Sequence, residues 1–236
     1  MGDKEKINLA TVEDYLLNLL PRAGQILRRF FHSEKLSQKM KSPLDFVTEA
    51  DLAVDRFLKN ELTMEFKDIP ILSEETAGKN LLKFRKEKYM FIIDPLDGTT
   101  NFSRGNDNYS ISCALVSFGK PAVGVIFVPV NSRLFWARAD KEGAYWNGRR
   151  IFVSGINDLR EAVVVTDWSH ILTTRDATTN FLKKIFHRVR QIKILGSAAT
   201  DLTLLGRGGV DIYHHVHLYP WDIAAAALIA EKAGAK

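Results

Sequence analysis

The chain has 236 residues, 46% of them hydrophobic, and carries 33 Lys and Arg against 28 Asp and Glu for a formal net charge of +5. That apolar content excludes a disordered polypeptide and suffices for a large α/β core, while basic residues scattered along the whole sequence read as solvated surface rather than a dedicated nucleic-acid groove. A single cysteine, Cys113, excludes an intrachain disulfide framework and a Cys-rich zinc site, and no run approaches the roughly twenty apolar residues of a membrane helix.

The first predicted element is a helix from about Thr11 to Phe31, with Leu16, Leu20, Ala23, Leu27 and Phe30 on its apolar face, Thr11 and Asp14 as a capping pair, and Pro21 kinking or dividing it. Thr48 caps a second helix whose buried side is Ala53, Val54, Phe57, Leu58 and Leu62, with Asp51 in its first turn. After Pro70 a short apolar step leads into Ser73-Glu74-Glu75-Thr76, and only one of two adjacent glutamates on an extended segment faces a given side. Residues 77 to 89, with several lysines, read as an exposed loop.

Residues 91 to 102, Phe-Ile-Ile-Asp-Pro-Leu-Asp-Gly-Thr-Thr-Asn-Phe, carry the most information. A buried strand runs into Pro95, which places Asp94 and Asp97 on a turn at its carboxyl end, where hard cations such as Mg²⁺ find oxygen ligands. Gly98 permits a tight turn, and Thr99-Thr100-Asn101 open a helix whose N–H groups suit a phosphate. Taken alone, the segment also fits an Asp-Pro-x-Asp-Gly turn without chemistry.

Strands follow at Ile111 to Phe118, Val123 to Val128 and Leu134 to Arg138, and Asn147-Gly148 supplies the two positive-φ positions of a hairpin. Cys113 falls within a β-like run as a small buried thiol. A further strand covers Ala162 to Val165, and a helix over residues 180 to 189 presents Phe181, Leu182, Ile185, Phe186 and Val189 as a stripe. Gly196-Ser197-Ala198-Ala199 precedes another helix, and Asp222 caps a final alanine-rich helix that closes at Gly234.

The four acidic segments around Asp51, Glu74, Asp94 with Asp97, and Asp222, together with the Gly143-Ala-Tyr-Trp-Asn-Gly148 hairpin, resemble the inositol monophosphatase family of Mg²⁺-dependent, lithium-sensitive phosphatases over about Lys41 to Gly234. The resemblance implies a layered α-β-α-β-α sandwich: residues 1–150 form a lobe with most metal ligands, and residues 151–236 form a second lobe, without the strand that relatives place after Gly234. It implies two to three Mg²⁺ held by Glu74, Asp94, the carbonyl of Leu96, Asp97 and Asp222, with Asp51, Thr99 and Glu74 catalytic. Asp97, Gly98, Thr99, Thr100, Gly196, Ser197, Ala198 and His215 would meet the substrate. It implies a cytoplasmic homodimer hydrolysing a small phosphate monoester, with no membrane partner, and a binding partner of RNA or the transcription machinery as the other reading.

The sequence departs from the family at His215, where inositol-specific members carry a glutamate. This shifts the expected substrate toward a sugar or polyol phosphate, with histidinol phosphate or a nucleotide 3′-phosphate as alternatives. His214, His215 and His217 are also a conceivable zinc set, but on a strand the three do not share one face.

Overall fold

In this computed structural model the described residues are 7–31, 37–42, 45–77, 87–169 and 171–236. Helix α1 spans Leu9–Phe30, β1 Gln38–Ser42, β2 Asp45–Thr48 and α2 Glu49–Glu65. A seven-stranded sheet follows in spatial order β3 (Ile71–Ser73), β4 (Tyr89–Asp97), β5 (Ser110–Ser117), β6 (Lys120–Val128), β7 (Arg133–Arg138), β8 (Ala144–Trp146) and β9 (Arg149–Ile151), with α3 (Thr99–Ser103) after β4. β3 and β4 are parallel and every later pair is antiparallel.

A smaller, wholly parallel sheet orders β11 (Gln191–Lys193), β10 (Val163–Thr166) and β12 (Ile212–His214), with α4 (Arg175–Ile185), α5 (Ala198–Gly206) and α6 (Pro220–Lys232) around it.

The central strands are buried on both faces, so their side chains divide by parity. Phe91, Ile93, Ile111, Cys113, Val123 and Val125 point to α1 and α2, whereas Met90, Ile92, Ala114, Ile126 and Ala137 point to α5 and α6. On β12, Tyr213 packs toward that second core, and His214 turns the other way to stack on Phe181 of α4 at 3.6 Å. The layers therefore run α1/α2, large sheet, α5/α6, small sheet, α4, which is the α-β-α-β-α sandwich that the resemblance implies for this α/β chain.

α6 lies close to the large sheet because small residues meet there. A Cβ at Gly124 of β6 would stand 2.8 Å from the Ala225 carbonyl oxygen and 2.9 Å from its Cα.

Several expected boundaries are corrected. α1 starts at Leu9 and takes its cap from Asn8, whose side chain accepts from the N–H groups of Ala10 and Thr11, rather than from Thr11 and Asp14. It runs through Pro21 as one helix, since tertiary burial of Leu16, Leu19, Leu20 and Ala23 outweighs one lost backbone bond. β4 continues past Pro95 to Asp97, because the proline falls where the ladder to β5 is already irregular, between Asp94 and Asp97. α4 starts at Arg175 rather than near 180 and ends at Ile185, leaving Phe186 exposed and the rest of the expected stripe only half-buried. The hairpin turn holds, with φ of 45° at Asn147 and 83° at Gly148. The loop expected at 77 to 89 lies mostly outside the described residues.

Candidate active site

β4 delivers its carboxylates into the interior. Asp94 is buried, its Oδ1 accepting from the Leu96 N–H at 3.0 Å, and Asp97 is buried three residues on. Gly98 follows at φ 89°, where an L side chain is strained, and a Cβ there would press to 2.9 Å of the Asn108 carbonyl oxygen and 3.1 Å of that of Gly196. The chain then turns at once into α3.

Thr99, the first residue of α3, meets Asp51 from α2. Its hydroxyl lies 3.2 Å from Asp51 Oδ1 and 3.1 Å from the Leu96 carbonyl oxygen. Asp51 is held by its own helix: Oδ2 accepts from the Thr48 N–H at 2.9 Å and from the Thr48 hydroxyl, closing a capping box. Burial raises the Asp51 carboxyl to about 6, against those hydrogen bonds from Thr48, which lower it.

Glu74 and Glu75 open a single 3-10 turn at the end of β3, and Lys41 of β1 bridges them, with Nζ 2.9 Å from Glu74 Oε1 and 2.8 Å from Glu75 Oε1. The Glu75 carboxylate is the more enclosed of the two, and burial lifts it to about 7 despite the ammonium beside it. Burial acts against the charge on Lys41 as well, but Glu74 and Glu75 overcome it and raise the lysine.

Asp97 reaches across to the second half of the chain. Oδ2 accepts from the Ser197 hydroxyl, from the Ala199 N–H at 2.9 Å and, more weakly, from Ser110 Oγ at 3.4 Å, while Oδ1 accepts from the Ala198 N–H at 3.2 Å. The Ser197 hydroxyl and Ala198 N–H expected to face a substrate are therefore turned to Asp97, and Gly196 at φ 81° lets the segment pass close to Asn101.

Asp222 sits in the first turn of α6, where its Oδ2 accepts from the Tyr219 N–H at 2.7 Å, so Tyr219 occupies the cap position assigned to Asp222 from sequence. Thr100 is exposed on α3, its carbonyl taken by Ser103.

The histidines do not form one site. β12 ends at His214, so the alternation argument fails beyond it: His214 Nδ1 meets Thr166 Oγ1 at 3.2 Å, and His215 Nδ1 accepts from the His217 N–H at 3.1 Å.

Burial raises Asp94 well above the usual carboxylate range, and repulsion from Glu74, Asp97 and Asp222 raises it further; burial likewise lifts Asp97 to about 6 against its Ser197 bond. Four oxygen-donor carboxylates thus repel one another around a buried point, a donor set that suits a hard dication. Among the described residues, no three acidic, histidine or cysteine side chains converge tightly enough to hold an ion as they stand, because Glu74 leans to Lys41, Asp97 to α5 and Asp222 to Tyr219.

Sequence reasoning passed over three contributors. Lys41 sits on β1 at a distance in sequence that no local pattern reveals. Asn101 donates to the carbonyls of Asn108 and Leu195 at 2.7 Å each, joining α3 to the segment before α5. Asp201 is fully buried, with Oδ2 unpaired and Oδ1 only 3.4 Å from Asn108 Nδ2; burial, then the charge of Asp97, push it up to about 8.

The profile of the inositol monophosphatase family matches residues 8–236. A Thermotoga maritima protein named fructose-1,6-bisphosphatase/inositol-1-monophosphatase is 36% identical over 94% of this chain and 82% of its own. A Vibrio cholerae protein named Nus factor SuhB is 33% identical, over 93% and 83%. The crystal structure of the extragenic suppressor protein suhB from Bartonella henselae superposes with a TM-score of 0.86 at 31% identity, over 95% of this chain and 85% of that one. The carboxylates around Asp94, the sandwich that carries them and these likenesses agree: the chain belongs to the inositol monophosphatase family and is a phosphatase of that superfamily.

Proposed function

We propose that the protein is a Mg²⁺-dependent hydrolase of small polyol or sugar phosphate monoesters. The observation that supports this most is the mutual repulsion of Glu74, Asp94, Asp97 and Asp222 beside a Thr99 hydroxyl already set against Asp51. Glu74, Asp94, Asp97, Asp222 and the Leu96 carbonyl would hold two to three ions, which when bound acidify water and stabilise the charge on a departing alkoxide.

The chain's own residues supply the rest. Thr99 Oγ1, between the Leu96 carbonyl and Asp51 Oδ1, orients the attacking water and relays its proton to Oδ1. With a carboxyl near 6, Asp51 is mostly ionised at pH 7 and able to accept it. Water is the nucleophile in this reading: the only thiol, Cys113, is fully buried and pushed far up by that burial, which makes it inert.

The backbone N–H groups of Gly98, Thr99 and Thr100 would receive the phosphate. The segment at Gly196, Ser197 and Ala198 would border the alcohol. His215, whose Nδ1 accepts from the His217 N–H, would meet the substrate in place of the family's glutamate.

The same reading makes the enzyme a lithium-sensitive, cytoplasmic homodimer. No helix among the described residues is long and apolar enough to cross a membrane. The name of the Vibrio relative supports a second reading, a partner of the transcription machinery. Phosphate release from inositol, sugar, histidinol and nucleotide monophosphates, with and without Mg²⁺ and Li⁺, tests both. Metal-dependent turnover of a polyol or sugar phosphate is the expected result, and a folded protein that turns over none of them would favour the second reading.

A further inference from the structure

The edge of the large sheet opposite the acidic strand end carries an unbalanced positive cluster. Trp146 on β8 pairs with Phe135 on β7 and with Arg149 on β9, and Arg133 lies two residues before Phe135. Paired residues, and residues two apart on one strand, share a face of the sheet. Arg133, Phe135, Trp146 and Arg149 therefore lie on one face, the face toward α5. Arg207, the C-terminal cap of α5, leans over the same indole: the guanidinium carbons of Arg133 and Arg207 stand 5.8 and 5.5 Å from the Trp146 ring centre.

Among the described residues none of these three arginines pairs with a carboxylate. Arg207 Nε is buried without a hydrogen-bond partner. Cation–π contact with one indole holds two guanidiniums in place but does not neutralise them, and their mutual repulsion persists. That repulsion, after burial, lowers the affinity of Arg207 for its proton. An anion bearing several charges, met by the outer N–H groups of the guanidiniums, would relieve that repulsion, and planar guanidinium forks match phosphate oxygens.

We propose that Arg133, Arg149 and Arg207, gathered around Trp146, form a second anion site that takes a small, multiply charged phosphate such as pyrophosphate. The site is distinct from the acidic centre: β8 lies four strands from β4, about 19 Å at the usual strand spacing. Recognition is by phosphate alone. Phe135 already stacks on the indole at 5.8 Å and 16° and the guanidiniums crowd the rest, so no aromatic face remains for a nucleobase.

Calorimetric titration of the full chain with pyrophosphate, without Mg²⁺, tests this in wild type, Arg133→Gln, Arg207→Gln and Asp94→Asn. Wild type and Asp94→Asn are expected to bind alike, and each arginine variant at least tenfold more weakly, with the anion-induced rise in thermal midpoint lost in parallel. If Arg207→Gln does not fold, Arg149→Gln, an exposed position, carries the same expectation. No binding to wild type, or binding lost in Asp94→Asn and kept in the arginine variants, overturns the proposal. So does an oligouridylate that binds more tightly than pyrophosphate with the same arginine dependence, which would make the patch an RNA surface.

Discussion

Asp51 combines two tasks in one side chain, Oδ2 closing the cap of α2 and Oδ1 facing Thr99. Asp51→Asn keeps the shape but cannot take up a proton, so kcat is expected to fall about 10²–10⁴-fold with little change in KM, read from steady-state kinetics. Asp94→Asn is expected to remove nearly all turnover. The same change deletes a charge repelled by Glu74, Asp97 and Asp222, so the thermal midpoint of the metal-free variant should hold or rise. Asp201 belongs to stability rather than chemistry. Its carboxyl is ordinarily near 3.8 and is raised to about 8 when folded, so between those values the folded chain holds a proton that the unfolded chain has lost, and stability falls as pH rises through that window. Asp201→Asn should flatten the decline toward pH 8, as urea midpoints at pH 5.5 and 8.5 will show. These buried acids differ in legibility. Asp51, Glu74, Asp94, Asp97 and Asp222 stand in short local patterns at element ends, whereas Asp201 reads as an ordinary acid in the first turn of α5 and Lys41 lies on the β1–β2 hairpin, where only tertiary contacts give them meaning.

At the scale of elements, the central strands β5 and β6 were readable because they are rich in Ile, Val, Leu and Ala, and α6 because its middle is a block of alanines. What the sequence left obscure were the ends. Asn8 caps α1 from outside its apolar period, and the β4 ladder tolerates Pro95 because of an irregularity that only the partner strand defines. The alanines of α6 have a mechanical use: their meeting with Gly124 fixes how closely the helix lies on β6, and Asp222 is in the first turn of that helix. Gly124→Ala forces a Cβ against the Ala225 backbone and is expected to destabilise by about 1–3 kcal/mol in chemical denaturation. Because it also displaces α6, turnover should fall at a position that touches none of the proposed ligands.

For the whole molecule, the two sheets share the α5/α6 layer, and Asp97 at the end of a large-sheet strand is bound by the opening N–H groups of α5. Lobes joined this way should unfold together: circular dichroism and tryptophan fluorescence are expected to give coincident urea transitions, and separated midpoints would show two independent units. An ion that binds only the folded chain adds about 2.7 kcal/mol at roughly 100 times its Kd, so Mg²⁺ should raise the thermal midpoint of wild type and much less that of Asp94→Asn. The bond from Asp97 to α5 also bears on how mutants are interpreted. That carboxylate is a fastener between the halves as well as a proposed ligand, so an inactive Asp97 variant confounds lost chemistry with a loosened joint. Ser197→Ala removes one strap of the fastener and leaves every acidic group in place, and the share of turnover it loses at saturating substrate measures how much of the enzyme's performance is carpentry.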